Sequence, residues 1–173
     1  MPKKDNEAAY KLLYTTSSDA IMVLEAPDWQ FTAGNPATIN IFGAKDEEEF
    51  ISSGPGKLSP EKQPDGQLSS VKAKEMIEKA LKDGSNFFEW THKKINGPNF
   101  AATVLLTKVD EQEGPYLQAT VRDVSMQKKS ESLAAKNTQK LERMNKLMTG
   151  RELKMVELKK EIMELKKQLK AKK

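Results

Sequence analysis

The chain has 173 residues, a hydrophobic content of 37% and a formal net charge of +4. That length suits one domain of about 120 residues plus an extension. The absence of Cys excludes disulfides, thiolate metal ligands and thiol nucleophiles, and no apolar run approaches the roughly 18 residues of a membrane-spanning helix. Met1-Pro2-Lys3-Lys4 leads into polar sequence rather than a secretion signal. A cytoplasmic location is the expectation.

From the N-terminus, Ala8, Ala9, Leu12 and Leu13 predict a short amphipathic helix over residues 5–15. Thr15 to Asp19 ends it, because these side chains compete for backbone hydrogen bonds. Ala20 to Glu25 reads as a compact apolar strand, and Ala26-Pro27-Asp28 as a turn. Trp29, Phe31 and Ala33 alternate with polar residues and predict a second strand, paired as a hairpin. Pro36 suits the first turn of a helix with Ile39, Ile41 and Phe42 inward and Gly43 at its end. Asp46 to Ile51 predicts another short helix with acids at its N-terminus. Residues 53–66, rich in Gly and Pro, read as a loop.

A longer helix follows from Ser69 to Asp83. Ala73, Met76, Ile77, Ala80 and Leu81 form its inward stripe, and Gly84 stops it. Three strands come next: one through Phe88, Trp90 and His92, a long one over Phe100 to Val109, and one over Tyr116 to Val124. Asn96-Gly97 is a tight-turn signal between the first two. Hairpin-joined strands in two groups around helices imply α+β architecture: an antiparallel sheet with helices on one face and an apolar pocket between.

From Met126 to Lys173 there is no Pro and one Gly, Gly150. Met155, Leu158, Ile162, Leu165 and Leu169 are spaced 3, 4, 3, 4, a heptad seam. The same register runs back through Met148, Met144, Leu141 and Ala134, interrupted by Arg151 and Asn137. A helix of this length spans roughly 70 Å, too long to pack inside the preceding domain, so its seam is expected to pair with a second copy as a coiled coil. Residues 1–125 carry 14 Lys/Arg against 19 Asp/Glu, and residues 126–173 carry 15 against 6. The basic character therefore belongs to the helix. Its Lys residues are interleaved with Glu142, Glu152, Glu157, Glu161 and Glu164, which fits solvated coiled-coil flanks and argues against nucleic-acid binding.

Several local motifs, in order, resemble the PAS domain family from about Tyr10 to Ser125. They are Asp19-Ala20-Ile21, Asn35-Pro36-Ala37, Ser59-Pro60-Glu61, Phe88-Glu89-Trp90, Asn96-Gly97 and Asp123-Val124-Ser125. The last is similar to the junction between a PAS sheet and its output helix. The resemblance implies a PAS fold with five antiparallel strands in spatial order 2-1-5-4-3, a ligand or cofactor cavity, and control of an effector through a long C-terminal coiled-coil helix, as in bacterial two-component sensors. It implies three parts: a flanking helix over 1–17, a sensor domain over 18–125, and a signalling helix over 126–173. Since the chain ends at Lys173, the receiver of the signal is expected on another chain or in a longer natural protein.

Candidate pocket residues are Met22, Phe42, Met76, Phe88, Trp90, His92 and Gln118, with Asp123, Val124 and Ser125 as signal junction. His92, the sole histidine, reads first as a hydrogen-bonded or partly exposed strand residue, and second as a hydrogen-bond donor to a pocket ligand. Haem ligation from the central helix is disfavoured because Ser69 to Asp83 holds no His. Flavin photochemistry through a cysteinyl adduct is excluded, while non-covalent flavin or a small organic ligand stays open. Asp46 to Glu49 point around a helix rather than at one cation, so no metal site is expected. Gly54-Pro55-Gly56-Lys57 lacks phosphate-loop spacing. No catalytic constellation is visible. The expected function is a non-enzymatic sensory module, with a ligand-free protein–protein adaptor as the alternative.

Overall fold

Ala20, Met22 and Leu24 point one way from an extended segment, and the chain buries all three. That strand, β1 (Ala20–Glu25), lies second in a five-stranded antiparallel sheet. The others are β2 (Gln30–Gly34), β3 (Ser85–Lys93), β4 (Asn99–Glu111) and β5 (Gly114–Asp123), and the spatial order is β2-β1-β5-β4-β3. In this computed structural model the backbone is described for residues 3–111 and 114–171, and side chains for 6–111 and 114–168. The chain divides into two compact units, Met1–Met126 and Gln127–Lys173.

One face of the sheet carries the core. Leu24, Leu117 and Phe31 lie on it, as do Met22, Ala119 and Leu106, and Ala20, Val121 and Val104. The helices α2 (Pro36–Phe42), α3 (Glu47–Lys57) and α4 (Ser69–Asp83) cover that face. Phe42, Phe50 and Leu58 have no exposed surface, and full burial of such a side chain contributes about 2 kcal/mol. The α4 stripe of Ala73, Met76, Ile77, Ala80 and Leu81 packs against this core.

Asn35 joins three elements. Its Oδ1 accepts from the backbone N–H of Ile21 at 3.0 Å and of Thr38 at 3.0 Å. Its Nδ2 donates to the carbonyls of Tyr14 at 3.1 Å and Asp19 at 3.0 Å. One buried amide thereby caps α2, extends the β1–β2 pairing and holds the last turn of α1 (Lys3–Thr16). Burial, with the nearby Glu47 carboxylate, pushes the Tyr14 hydroxyl up to about 12.

Two expectations change. Trp29 is not a strand residue: its φ of 53° makes it part of the turn, and β2 starts at Gln30. A register shift between Val23 and Leu24 pairs them with Ala33 and Phe31, so Phe31 and Gly34 are buried while Ala33 is only half-buried. The loop expected over 53–66 also begins later, because α3 continues to Lys57 across a kink at Gly54. Gly54 takes φ 64°, ψ 166°, and a Cβ there would stand 2.8 Å from Gln30 Oε1.

The long C-terminal helix is α5 (Ser125–Ala171), 47 residues without a break at Gly150. No helix among the described residues is long and apolar enough to cross a membrane.

Candidate functional site

Alternation along β3 sets Asn86, Phe88, Trp90 and His92 on the sheet's inner face. β3 is an edge strand, and the segment after α3 runs along its open edge. Leu58 O accepts from Lys93 N–H at 2.9 Å and from the His92 ring at 3.2 Å. Trp90 Nε1 donates to Ser59 Oγ at 3.1 Å. The Gln63 side chain accepts from Thr91 N–H at 2.8 Å and donates to Thr91 O at 3.1 Å, replacing a missing neighbour strand.

The rings along this face form a chain. Phe88 and Trp90 centroids are 5.8 Å apart, Trp90 and His92 6.4 Å. His92 stacks on Phe100 at 5.6 Å and meets Phe42 edge-on at 5.1 Å. Met22 is buried in the same core, and Met76 reaches it from α4, where its carbonyl accepts from Asn86 Nδ2 at 3.1 Å. Six of the seven expected pocket residues therefore lie on the core side. Gln118 does not: its register with Val23 and Thr107 puts it on the opposite face from Leu117 and Ala119.

His92 is 9% exposed, so it is buried rather than partly exposed. A carbonyl can only accept, so the ring nitrogen facing Leu58 O, Nδ1, carries the proton. Nε2 is then a bare lone pair, buried and without a hydrogen-bond partner among the described residues. The free nitrogen is thus an acceptor, which reverses the expectation that His92 would donate to a ligand. Burial pulls the imidazole down to about 4, against a smaller upward pull from Leu58 O. The ring stays neutral at ordinary pH and can receive a hydrogen bond from an uncharged O–H or N–H group. Among the described residues no group of three His, Asp or Glu is placed to hold a metal ion.

Sequence reasoning missed three members of this arrangement as site residues. Phe100 shares the parity of Ala102, Val104 and Leu106, which would have put it inside. Ser59 carries a signal only as part of the Ser59-Pro60-Glu61 motif. Gln63 sits in a Pro- and Gly-rich stretch with no periodic signal.

The expected signal junction is contiguous. β5 ends at Asp123 and α5 begins at Ser125. Asp123 Oδ1 accepts from Ser125 N–H at 2.8 Å. Val124 N–H donates to Ala101 O at 2.9 Å, and Ala101 N–H donates to Ser125 Oγ at 3.0 Å. The expected seam residues Leu141, Met144, Met148, Met155, Leu158, Ile162 and Leu165 are all exposed within the single chain, Leu158 by 46% and Leu141 by 61%. The Leu169 side chain lies outside the described residues.

No family model matches this sequence, and no curated protein matches it. Solved structures do. A PAS domain of a protein from Colwellia psychrerythraea is similar at a TM-score of 0.60 and 14% identity, over 70% of this chain and 99% of that one. A PAS domain from a two-component sensor histidine kinase gives a TM-score of 0.55 at 19% identity, again over 70% and 99%. An RNA-binding light-oxygen-voltage receptor gives 0.59 at 19%, over 78% of this chain but only 39% of that one. With the strand order and the helix-covered face already described, these likenesses establish the fold: the unit Met1–Met126 is a PAS fold, and α5 continues from its last strand.

Proposed function

We propose that this chain is a sensory relay, not an enzyme. A small uncharged ligand enters the interior beside Met22, Phe42, Met76, Phe88, Trp90 and His92. The state of the sheet then passes through Asp123, Val124 and Ser125 to α5, which pairs with a second copy and acts on an effector protein. The observation that carries this reading is the short, bonded passage from sheet to helix: Val124, just before α5, and Ser125, its first residue, both hydrogen-bond to β4 at Ala101. A displacement of β4 or β5 moves the start of α5 with it, and a paired helix converts that shift into a change of rotation or register. The unpartnered Nε2 of His92 supports a ligand with a hydrogen-bond donor.

The packing of Phe42 supports a second reading. Its ring lies 5.6 Å from Phe50, 5.7 Å from Phe100 and 5.1 Å from His92, and such filling suits a ligand-free adaptor that works by dimerisation. Native mass spectrometry and the absorption spectrum of the purified full chain separate the two. A mass increment lost on denaturation, or a visible band, supports the ligand. The bare dimer mass, with a His92 Nε2 nitrogen resonance unchanged by any added ligand, supports the adaptor. A monomer in light scattering at high micromolar concentration sinks the paired-helix step of both.

A further inference from the structure

An open cleft of about 610 Å³ lies away from the interior, at the end of the sheet where β1 starts and β5 stops. Its walls include Ser17, Asp19, Ile41, Lys94, Arg122 and Asp123. The charges there are not equivalent. Arg122 and Asp19 neutralise each other through two hydrogen bonds, Nε to Oδ1 at 2.9 Å and Nη2 to Oδ2 at 2.6 Å. Lys94 is half-buried, and its ammonium lies over the face of Phe100, 5.8 Å from the ring centroid, with no carboxylate partner among the described residues. Asp123 commits Oδ1 to the Ser125 N–H, which leaves its second oxygen for another donor.

Among the described residues the cleft therefore offers one cation without a carboxylate partner and one half-engaged carboxylate beside an already neutral pair. A simple anion that meets Lys94 also meets Asp123, and a simple cation meets the reverse mismatch. A molecule with both charges satisfies both groups. The Ser17 hydroxyl at the rim is already engaged with the Asp19 backbone, while Ile41 gives an apolar surface for a small side chain.

We propose that this cleft binds a small zwitterion of the free amino-acid type. Its carboxylate pairs with Lys94 and its ammonium with Asp123. The site is separate from the interior one and does not depend on it. Its position has a regulatory consequence, because Asp123 is also the residue that caps the start of α5. An ammonium on the free oxygen shares the carboxylate that accepts from Ser125 N–H, which couples occupancy of the cleft to the first turn of α5.

The test is calorimetric titration of the full chain with a panel of free L-amino acids. Each has two matched controls, the amino-acid amide without the carboxylate and the N-acetyl derivative without the ammonium. The expected result is binding of at least one free amino acid with a dissociation constant below about 10 mM, and at least about tenfold weaker binding of both its controls. Lys94→Gln and Asp123→Asn each weaken binding by about tenfold or more, while Lys79→Gln on the exposed side of α4 leaves it unchanged. Circular dichroism melts establish that each variant is folded, and Lys94→Gln, away from the α5 cap, serves if Asp123→Asn is not. Absence of binding across the panel overturns the proposal. So does equal binding of free and N-acetylated acids, which defines an anion site, or binding that Lys94→Gln does not change.

Discussion

Arg122, near the end of β5, holds Asp19, just before the paired strand β1, with Nε 2.9 Å from one carboxylate oxygen and Nη2 2.6 Å from the other. The two residues lie 103 positions apart in sequence, so the contact exists only when β1 and β5 are paired. The guanidinium hydrogen bond, ahead of its charge, holds the Asp19 carboxyl below its ordinary range and raises Arg122 in return. Arg122→Gln removes both effects. The Asp19 carboxyl resonance should then titrate at higher pH, measured by carbon-13 NMR. Because the folded value is depressed, the pair stabilises the fold above the ordinary carboxylate range and loses that contribution as pH falls through it. The side chains are largely solvent-accessible on the Arg side, so salt should weaken the effect.

Asn35 is a stronger test of the fold. It is completely buried, and its amide serves two N–H groups and two carbonyls. Asn35→Ala removes the side-chain partners of the Ile21 N–H and the Tyr14 carbonyl, while the Thr38 N–H keeps its bond to Asn35 O and the Asp19 carbonyl its contact with Ser17 Oγ. The expected loss is about 2–4 kcal/mol in urea unfolding. The α1 helix should also become more susceptible to proteolysis, because the carbonyl of Tyr14 loses its hydrogen bond to the core. A stability change within about 0.5 kcal/mol would show that the network is not structural.

This network marks the limit of what the residues alone disclose. A PAS-like order of elements, the strand order and the α4 stripe were legible, since each rests on local periodicity or on motifs that recur in order. Asn35 before Pro36 was legible as a helix start, but not as the joint of α1, β1 and α2, because its partners at Tyr14, Asp19 and Ile21 are set by tertiary docking. The same holds inside the core. Trp90 and His92 follow from strand alternation, whereas their partners Ser59 and Leu58 come from a segment with no period. Gln118 failed for a different reason: a period of two assigns opposite faces to neighbours, and Leu117 and Ala119 already claim the inside. The end of α3 was obscured by Gly54 and Pro55, which read as loop-forming but occupy a kink between helical turns.

His92 gives a prediction with a defined pH window. Its folded value is about 4, below the ordinary 6.5, because the protonated ring would be buried among Phe42, Phe100 and Trp90. Between those values the unfolded chain binds a proton that the folded chain refuses. Stability from this group is therefore complete above about pH 6.5, falls as pH drops toward 4, and changes no further below that. The span corresponds to about 3 kcal/mol. Denaturant unfolding from pH 4 to 7 should show this slope in the natural chain and lose it in His92→Phe. A slope that survives the substitution would assign the acid sensitivity to carboxylates instead. Nitrogen-15 NMR at pH 7 should find the proton on Nδ1.

The paired-helix step is tested where the seam is weakest. Gly150 and Arg151 interrupt a register that runs from Met144 and Met148 to Met155 and Leu158, yet α5 is continuous across them. A Cβ at Gly150 meets nothing within 4 Å, so Gly150→Ala costs no packing and removes about 1 kcal/mol of backbone entropy loss per helix. Arg151→Leu replaces a charge at a core-type heptad position with an apolar side chain suited to it. The double variant should dimerise at least about tenfold more tightly in sedimentation experiments and melt at higher temperature. Ile162→Lys should do the opposite and give a monomer. If the interruption serves as a hinge that lets the sensor unit change the pairing of the distal heptads, the double variant should also respond less to any ligand, with the helix locked in one register. Tighter dimers with an undiminished ligand response would place the signalling step before Gly150, and dimerisation unaffected by all three substitutions would remove the seam as the pairing surface.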